Sequence, residues 1–304
     1  MDAGPFNFLG WEFKPIELED RHVLAPFLKR HPHRLSGYTF AAMIAWDHLL
    51  KFAWTFATPE MLLVSIESKG ARHLIEPRGA LDPALQDEIL ARAAQLDYPL
   101  RLFMIDQRFL DAHPAFAARF EVALHSEESH YLYRASDLAQ LPGRKYAAKR
   151  NLIAQAERQY RWTTEALTPE NHEAAFELLR QIHEEDGPES ESFQQDTRAL
   201  EYTLRHLAEL AQHGNLVRVE GRPAALSICE PIGDDTVAIH FERASRSYKG
   251  MYQVVTNEAA KAIVAAGYEY INREEDLGNE GLRKAKQSYH PIEIIGSFSL
   301  TLRP

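Results

Sequence analysis

Apolar residues along this chain follow two periods, and the switches between them mark out its elements. Trp11-Glu-Phe-Lys-Pro-Ile16 alternates as a strand does, and a helix is expected from about Asp20 to Lys29. Leu35-Ser-Gly-Tyr-Thr-Phe-Ala-Ala-Met-Ile-Ala-Trp46 carries its apolar residues at helical spacing. Strands are expected around Trp54 and from Met61 to Ser65. A helix from Pro83 to Gln95 puts Leu85, Ile89, Leu90 and Ala93 on one face. Leu100 to Ile105 reads as a buried strand, Phe109 to Phe120 as a helix, and Glu121–His125 and Tyr131–Tyr133 as two further strands.

Leu141-Pro-Gly-Arg144 punctuates the chain, and the same grammar then repeats. Tyr160 to Thr164 predicts a strand. Thr168-Pro-Glu opens a helix with Ala175, Leu178, Leu179 and Ile182 along one stripe. A second helix is expected from about Thr197 to Ala211. Strands follow at Leu216–Val219, Ala224–Glu230 and Val237–Glu242, with Gly221-Arg and Gly233-Asp-Asp as their turns. Next come a helix from Met251 to Ala266, a strand at Tyr268–Ile271, a short helix ended by Pro291, and strand structure from Ile292 to Leu302.

The strand at Tyr268–Ile271 runs straight into Arg273, Glu274, Glu275 and Asp276, followed by Gly278 and Gly281. Charges at the end of a buried strand are costly to desolvate unless they are paired or used. Ligands of open α/β sheets bind at such strand ends. The functional centre is therefore expected here, with Glu274 as first candidate for a general base and Asp276 as second. The alternative is an ion-pair network of Arg273 to Asp276 with Arg283 and Lys286. A second charged cluster, Arg144, Lys145, Lys149, Arg150, Arg158 and Arg161, faces only Glu157. Lys145 and Lys149 are four apart and share a helix face, with Arg144, Arg150 and Asn151 beside them, so this helix can present donors to phosphates.

The composition narrows the classes. The chain has 304 residues, which favours two domains, expected at 1–140 and 141–304. Its net charge of −10 argues against an unselective nucleic-acid binder, and DNA is not expected as a partner. The single cysteine, Cys229, falls in a strand and is expected in the core, which fits a reducing cytoplasm. Met1-Asp-Ala-Gly-Pro-Phe lacks the pattern of a signal peptide, and no apolar run is long enough to span a bilayer. His31-Pro-His33 is expected in a loop with no partnering carboxylate nearby, and His183-Glu-Glu-Asp186 before Gly187-Pro reads as a solvated helix end; no metal is expected. There is no Gly-x-Ser-x-Gly elbow and no Walker loop.

In the second part the order is strand, two helices, three antiparallel strands, helix, strand, helix, strand. That order resembles the Gcn5-related N-acetyltransferase fold. The expected fold class is mixed α+β: two tandem domains of this kind, each a mostly antiparallel mixed sheet flanked by helices. The resemblance implies an anion site at the segment Arg243-Ala-Ser-Arg-Ser-Tyr-Lys-Gly-Met-Tyr252, where backbone N–H groups and a helix start would meet a pyrophosphate. Arg246, Lys249 and Gly250 are the candidates there, with Arg283 and Lys286 from the late helix. Counting from Arg246, the positions that the acetyltransferase pattern gives to small residues hold Lys249 and Met251.

A closer resemblance rests on Leu141-Pro-Gly-Arg-Lys-Tyr-Ala-Ala-Lys-Arg-Asn151, Asn272-Arg-Glu-Glu-Asp-Leu-Gly278, Gly281-Leu-Arg-Lys-Ala-Lys286, Ser288-Tyr-His-Pro291 and Ser36-Gly-Tyr-Thr-Phe40. These look like an uncharacterised bacterial family related to the C-terminal catalytic part of phosphatidylglycerol lysyltransferases. The resemblance implies transfer of an aminoacyl group from aminoacyl-tRNA to a lipid or cell-wall acceptor. It marks Arg144, Lys145, Lys149, Arg150, Asn151, Arg273 and Tyr289 as candidate substrate-binding residues. Acyl-coenzyme A is the alternative donor, no other cofactor is required, and a non-catalytic anion sensor is the alternative from outside enzymes.

Overall fold

The computed structural model describes residues 4–186 and 191–303, so Gly187-Pro188 lies outside the described residues. The chain divides into two compact units, Met1–His130 with Ile295–Pro304, and Tyr131–Ile294. In chain order the first stretch contains β1 (Phe6–Phe8), β2 (Trp11–Pro15), α1 (Arg21–Arg30), α2 (Phe40–Ala45), α3 (Asp47–Leu50), β3 (Ala53–Thr58), β4 (Met61–Ser68), β5 (Ala71–Ile75), β6 (Arg78–Gly79), α4 (Pro83–Ala93), β7 (Arg101–Ile105), α5 (Gln107–Ala112), α6 (Pro114–Ala117) and β8 (Phe120–Arg134). There follow α7 (Ala135–Gln140), α8 (Ala147–Gln159), β9 (Trp162–Ala166), α9 (His172–Asp186), α10 (Glu191–Arg205), β10 (His213–Val219), β11 (Arg222–Pro231), β12 (Thr236–Ala244), α11 (Met251–Ala265), β13 (Tyr270–Asn272), α12 (Glu280–Gln287) and β14 (Glu293–Leu302).

The sheet of the first unit runs β1–β2–β3–β4–β5–β7–β14–β8. Its strands are antiparallel except for β5 and β7, where Leu74 pairs with Leu102 in parallel. From Met61 to Ile66 every residue of β4 is buried, the signature of a strand covered on both faces. Phe13, Leu63, Leu74, Ile89 and Leu102 form the centre of that core.

Three local differences from expectation have physical causes. The Leu35–Trp46 helix begins only at Phe40, because Ser36–Tyr38 makes a 3-10 turn and Thr39 caps α2 through Ala42 N–H at 3.0 Å. The Phe109–Phe120 helix is two short helices, broken where Pro114 lacks a donor. The two strands expected at Glu121–His125 and Tyr131–Tyr133 are one strand of 15 residues, whose polar middle sits in its more exposed half.

The second unit follows the expected acetyltransferase-like order from β9 to α12. The last residues of β8 pair antiparallel with β13, with Tyr133 opposite Ile271. β13 pairs in parallel with β12, and β11, β10 and β9 continue antiparallel. The even-spaced apolar positions of β12 and β13 (Val237, Ile239, Ile271) meet Ala259, Ala260 and Ile263 of α11, and Val254 and Val255 of α11 meet Val217, Ala224 and Ala225. No described helix is long and apolar enough to cross a membrane.

The start of α11 is fixed by one residue. Gly250 lies at φ +90°, and a Cβ there would meet the Leu152 carbonyl oxygen at 2.8 Å and the Ala156 Cβ at 3.3 Å. Gly221, at φ +83° in the turn between β10 and β11, has nothing within 4 Å. Gly250→Ala therefore carries backbone strain of about 1–3 kcal/mol plus a clash between α8 and α11. Gly221→Ala carries strain alone. Urea unfolding should give the larger loss of stability for Gly250→Ala; equal losses would remove the packing explanation.

Candidate active site

The parallel pairing of β12 with β13 lasts three residues, Thr236 with Tyr270, Val237 with Ile271 and Ala238 with Asn272. The chain then leaves the ladder. Buried Asn272 takes the Glu274 N–H on its Oδ1 at 2.8 Å, and Glu274 sits at φ +58°, in the left-handed region that costs a glutamate strain. On the other side the main chain keeps pairing with β8: Arg273 N–H donates to the Tyr131 carbonyl at 3.0 Å, and Tyr131 N–H to the Glu274 carbonyl at 3.2 Å.

Charged side chains bridge the opening between β12 and the departing chain. His240 of β12 places Nδ1 2.7 Å from Glu274 Oε1 and Nε2 2.9 Å from Glu230 Oε1 of β11. Burial by itself opposes charge on this imidazole, but Glu274 and Glu230 outweigh it and raise its pKa to about 10. Two positions along β12, Glu242 accepts from Arg273 Nε at 3.0 Å and Nη2 at 2.5 Å. Arg273 also lies 4.9 Å from the Tyr289 ring centroid, which Lys149 of α8 approaches to 4.2 Å. Lys149 has no acidic partner among the described residues, and burial together with Arg273 lowers its pKa.

The loop is held from below. Asp276 is fully buried and receives four donors: Tyr131 Oη at 2.6 Å, Arg283 Nε at 2.9 Å, Arg283 Nη2 at 2.8 Å and Gly278 N–H at 2.9 Å. Arg283 chiefly, with Tyr131 and Gly278, overcomes burial and lowers its pKa to about 2. Buried Lys286 donates to the carbonyls of Arg273 and Glu275. Tyr133 donates to the Lys286 carbonyl at 2.8 Å, and Tyr146 to that of Tyr289 at 3.0 Å. Arg273, Tyr289 and Lys149 are thus brought together and Glu274 pairs with His240, whereas Asp276, Arg283 and Lys286 anchor the loop that carries Glu274.

The remaining candidates stand elsewhere. Arg150 donates to the carbonyls of Leu141 and Gly143, the latter at 2.6 Å, and so closes the turn before α8. Lys145 faces Asp137 at 3.5 Å, while Arg144 and Asn151 are exposed. In the β12–α11 loop, Arg246 N–H, Ser245 Oγ and Ser247 Oγ converge on the carboxylate of Glu185 at 2.5–2.7 Å. Burial opposes charge on Glu185, but these donors lower its pKa to about 2. Lys249 is exposed, and its N–H lies 3.4 Å from the Tyr160 hydroxyl. A groove of about 590 Å³ between α9 and α10 takes in Phe176, Phe193, Arg205 and Arg243 but none of the groups at the strand opening.

Two further sites correct or bear on the sequence expectations. His33 does meet carboxylates: Glu76 lies 3.2 Å away, and with Asp106 the three ligand atoms fall within 4.8 Å of one another. Leu35 N–H donates to His33 Nδ1 at 2.9 Å, so the ring proton sits on Nε2, which leaves no lone pair there for a metal. Cys229 lies in β11, where burial raises its thiol pKa to about 12. Sequence reasoning missed Glu230, His240 and Glu242. The signal was present in Val237-Ala-Ile-His-Phe-Glu242, where polar residues recur at every second position of an otherwise apolar strand.

Residues 28–300 match the family described as phosphatidylglycerol lysyltransferase, C-terminal, and the chain belongs to that family. A conserved protein of unknown function from Bacteroides thetaiotaomicron is 28% identical, with a TM-score of 0.88 over 96% of this chain and 99% of that one. L-PGS from Bacillus licheniformis is 16% identical, with a TM-score of 0.67 over 94% and 93%. The C-terminal domain of a putative lysylphosphatidylglycerol synthetase from Agrobacterium fabrum is 15% identical, with a TM-score of 0.64 over 94% and 92%. The last two show the fold. A search among curated proteins gives no match.

Asp276 sets an acid dependence. Its folded-state pKa lies below the ordinary 3.8, so it stabilises fully above that value and loses its contribution as the pH falls towards 2. The wild-type urea midpoint should fall more steeply between about pH 4 and pH 2 than that of Asp276→Asn. Parallel slopes would show that the carboxylate does not anchor the loop.

Proposed function

We propose that this member of the lysyltransferase C-terminal family is an aminoacyl transferase that uses aminoacyl-tRNA as donor and an amine or hydroxyl as acceptor. The acceptor is of the lipid-headgroup or cell-wall type that the family resemblance implies. The observation that supports the reading is Glu274, a part-exposed carboxylate fixed by His240 where β12 and β13 separate, following directly on Arg273, whose guanidinium lies with the Lys149 ammonium over the Tyr289 ring.

In this reading the acceptor's nitrogen or oxygen attacks the ester carbonyl of the donor. A bond forms to that carbon, and the bond to the ribose oxygen breaks. Glu274 takes the acceptor's proton and returns it to the ribose oxygen as that group leaves, so the carboxylate ends as it began. Lys149 and Arg273 supply positive charge for the developing oxyanion or a nearby phosphate. Asp276 contributes indirectly, through Arg283 and Tyr131, by fixing the loop.

The donor assignment has support from what occupies the β12–α11 loop. The hydroxyls and N–H that would meet a pyrophosphate already hold the Glu185 carboxylate. An acyl-coenzyme A donor would have to displace it. Lys149 on α8 offers a cation with no internal acid instead. The net charge of −10 requires any tRNA contact to be local and salt-sensitive.

With radiolabelled aminoacyl-tRNA and lipid or amine acceptors, the purified protein should transfer label. Glu274→Gln should lower kcat about 10²-fold or more while tRNA binding persists. Lys149→Ala should weaken donor binding and flatten its salt dependence. A non-catalytic sensor would bind equally well in wild type and Glu274→Gln and transfer nothing in either. Calorimetric titration with acetyl-coenzyme A should be silent; micromolar binding lost in Lys249→Ala would replace the donor assignment.

A further inference from the structure

His240 was not anticipated, and its surroundings define a function for it. It bonds two carboxylates with two different ring nitrogens, at 2.7 and 2.9 Å. An ionised carboxylate only accepts, so both nitrogens must donate, which a neutral imidazole cannot do. The ring is therefore an imidazolium clamped at both ends, and it can neither flip nor swing without breaking a charged bond. We infer that Glu230 and His240 are positioning residues, a buried pair that aims the Glu274 carboxylate across the opening between β12 and β13. This rests on the reading of Glu274 as the proton acceptor.

The groups facing the ring support that role. β11 supplies Glu230, which also receives Gln212 Nε2 at 3.4 Å. The loop after β13 supplies Glu274. On its own strand Glu242 is engaged by Arg273, and from α12 the Lys286 ammonium is bonded to the Arg273 and Glu275 carbonyls. Glu230, His240 and Glu274 together carry one net negative charge, so the imidazolium cannot neutralise both carboxylates. Glu274 is part-exposed at the rim, while Glu230 is the more buried partner. The left-handed backbone of Glu274 turns its side chain back towards β12, and the bond to His240 helps to offset that strain.

The test is ¹⁵N NMR of histidine-labelled full-length protein, with the His240→Gln spectrum identifying the His240 signals among those of the 14 histidines. Both His240 nitrogens should remain protonated through pH 9 in wild type. In Glu230→Gln the titration should move down by at least one pH unit. In the transfer assay Glu230→Gln should lower kcat about tenfold or more at nearly constant KM, with partial recovery in Glu230→Asp. A purely structural role would lower the melting temperature and leave kcat unchanged. A neutral His240 ring at pH 7 in wild type overturns the inference, and needs no variant that folds. Full transfer by Glu274→Gln overturns the proton-acceptor reading and the positioning role with it. Loss of transfer in Glu274→Gln with unchanged kcat in Glu230→Gln overturns the positioning role alone.

Discussion

Two parallel strands that separate inside a folded unit leave backbone donors and acceptors without their ladder partners, and buried backbone groups have to be satisfied some other way. After Asn272 the chain solves this on one side by continuing to pair with Tyr131. Elsewhere side chains take over: Asn272 Oδ1 accepts the Glu274 N–H, and Lys286 donates to the carbonyls of Arg273 and Glu275. Beside these substitutes for a hydrogen-bond ladder, His240 with Glu274 and Glu242 with Arg273 pair charge across the opening. The same arrangement places the part-exposed carboxylate of Glu274 at the rim of the opening.

Such a substitution is costly, because taking several charges out of water has to be offset by close pairing. Most of these groups are well provided for. Asp276 has four donors, and Lys286 finds two carbonyls. Glu242 Oε1 and Arg273 Nη1 are buried with no hydrogen-bond partner.

Much of this was legible in the sequence, and the exceptions follow a physical rule. The order of elements from β9 to α12 could be read because most of them, α9 to β12 and α11 above all, bury one face and so imprint a period of 2 or 3.6. The charged run at 273–276 was visible for the same reason, as an abrupt end to apolar spacing. The separate roles of Glu274 and Asp276 were not visible, because alternation fails once Glu274 adopts a positive φ and both neighbours are re-aimed. His240 gave only the weak sign of a polar residue on an apolar strand. Its partners lie 10 and 34 residues away. His33 was misjudged likewise, since Glu76 reaches it only through the tertiary fold.

The β12–α11 loop shows how one fold can change its ligand without changing its backbone. The loop before α11 presents an N–H and two hydroxyls that converge as they would on a phosphate, but Glu185 from the end of α9 supplies the anion internally. An internal carboxylate acts at a high effective concentration, so a phosphate competes best by bringing further contacts. Gly250 is then needed for its positive φ and for close packing against Leu152 and Ala156. Among the described residues, a cation without an acidic partner stands instead on α8, at Lys149.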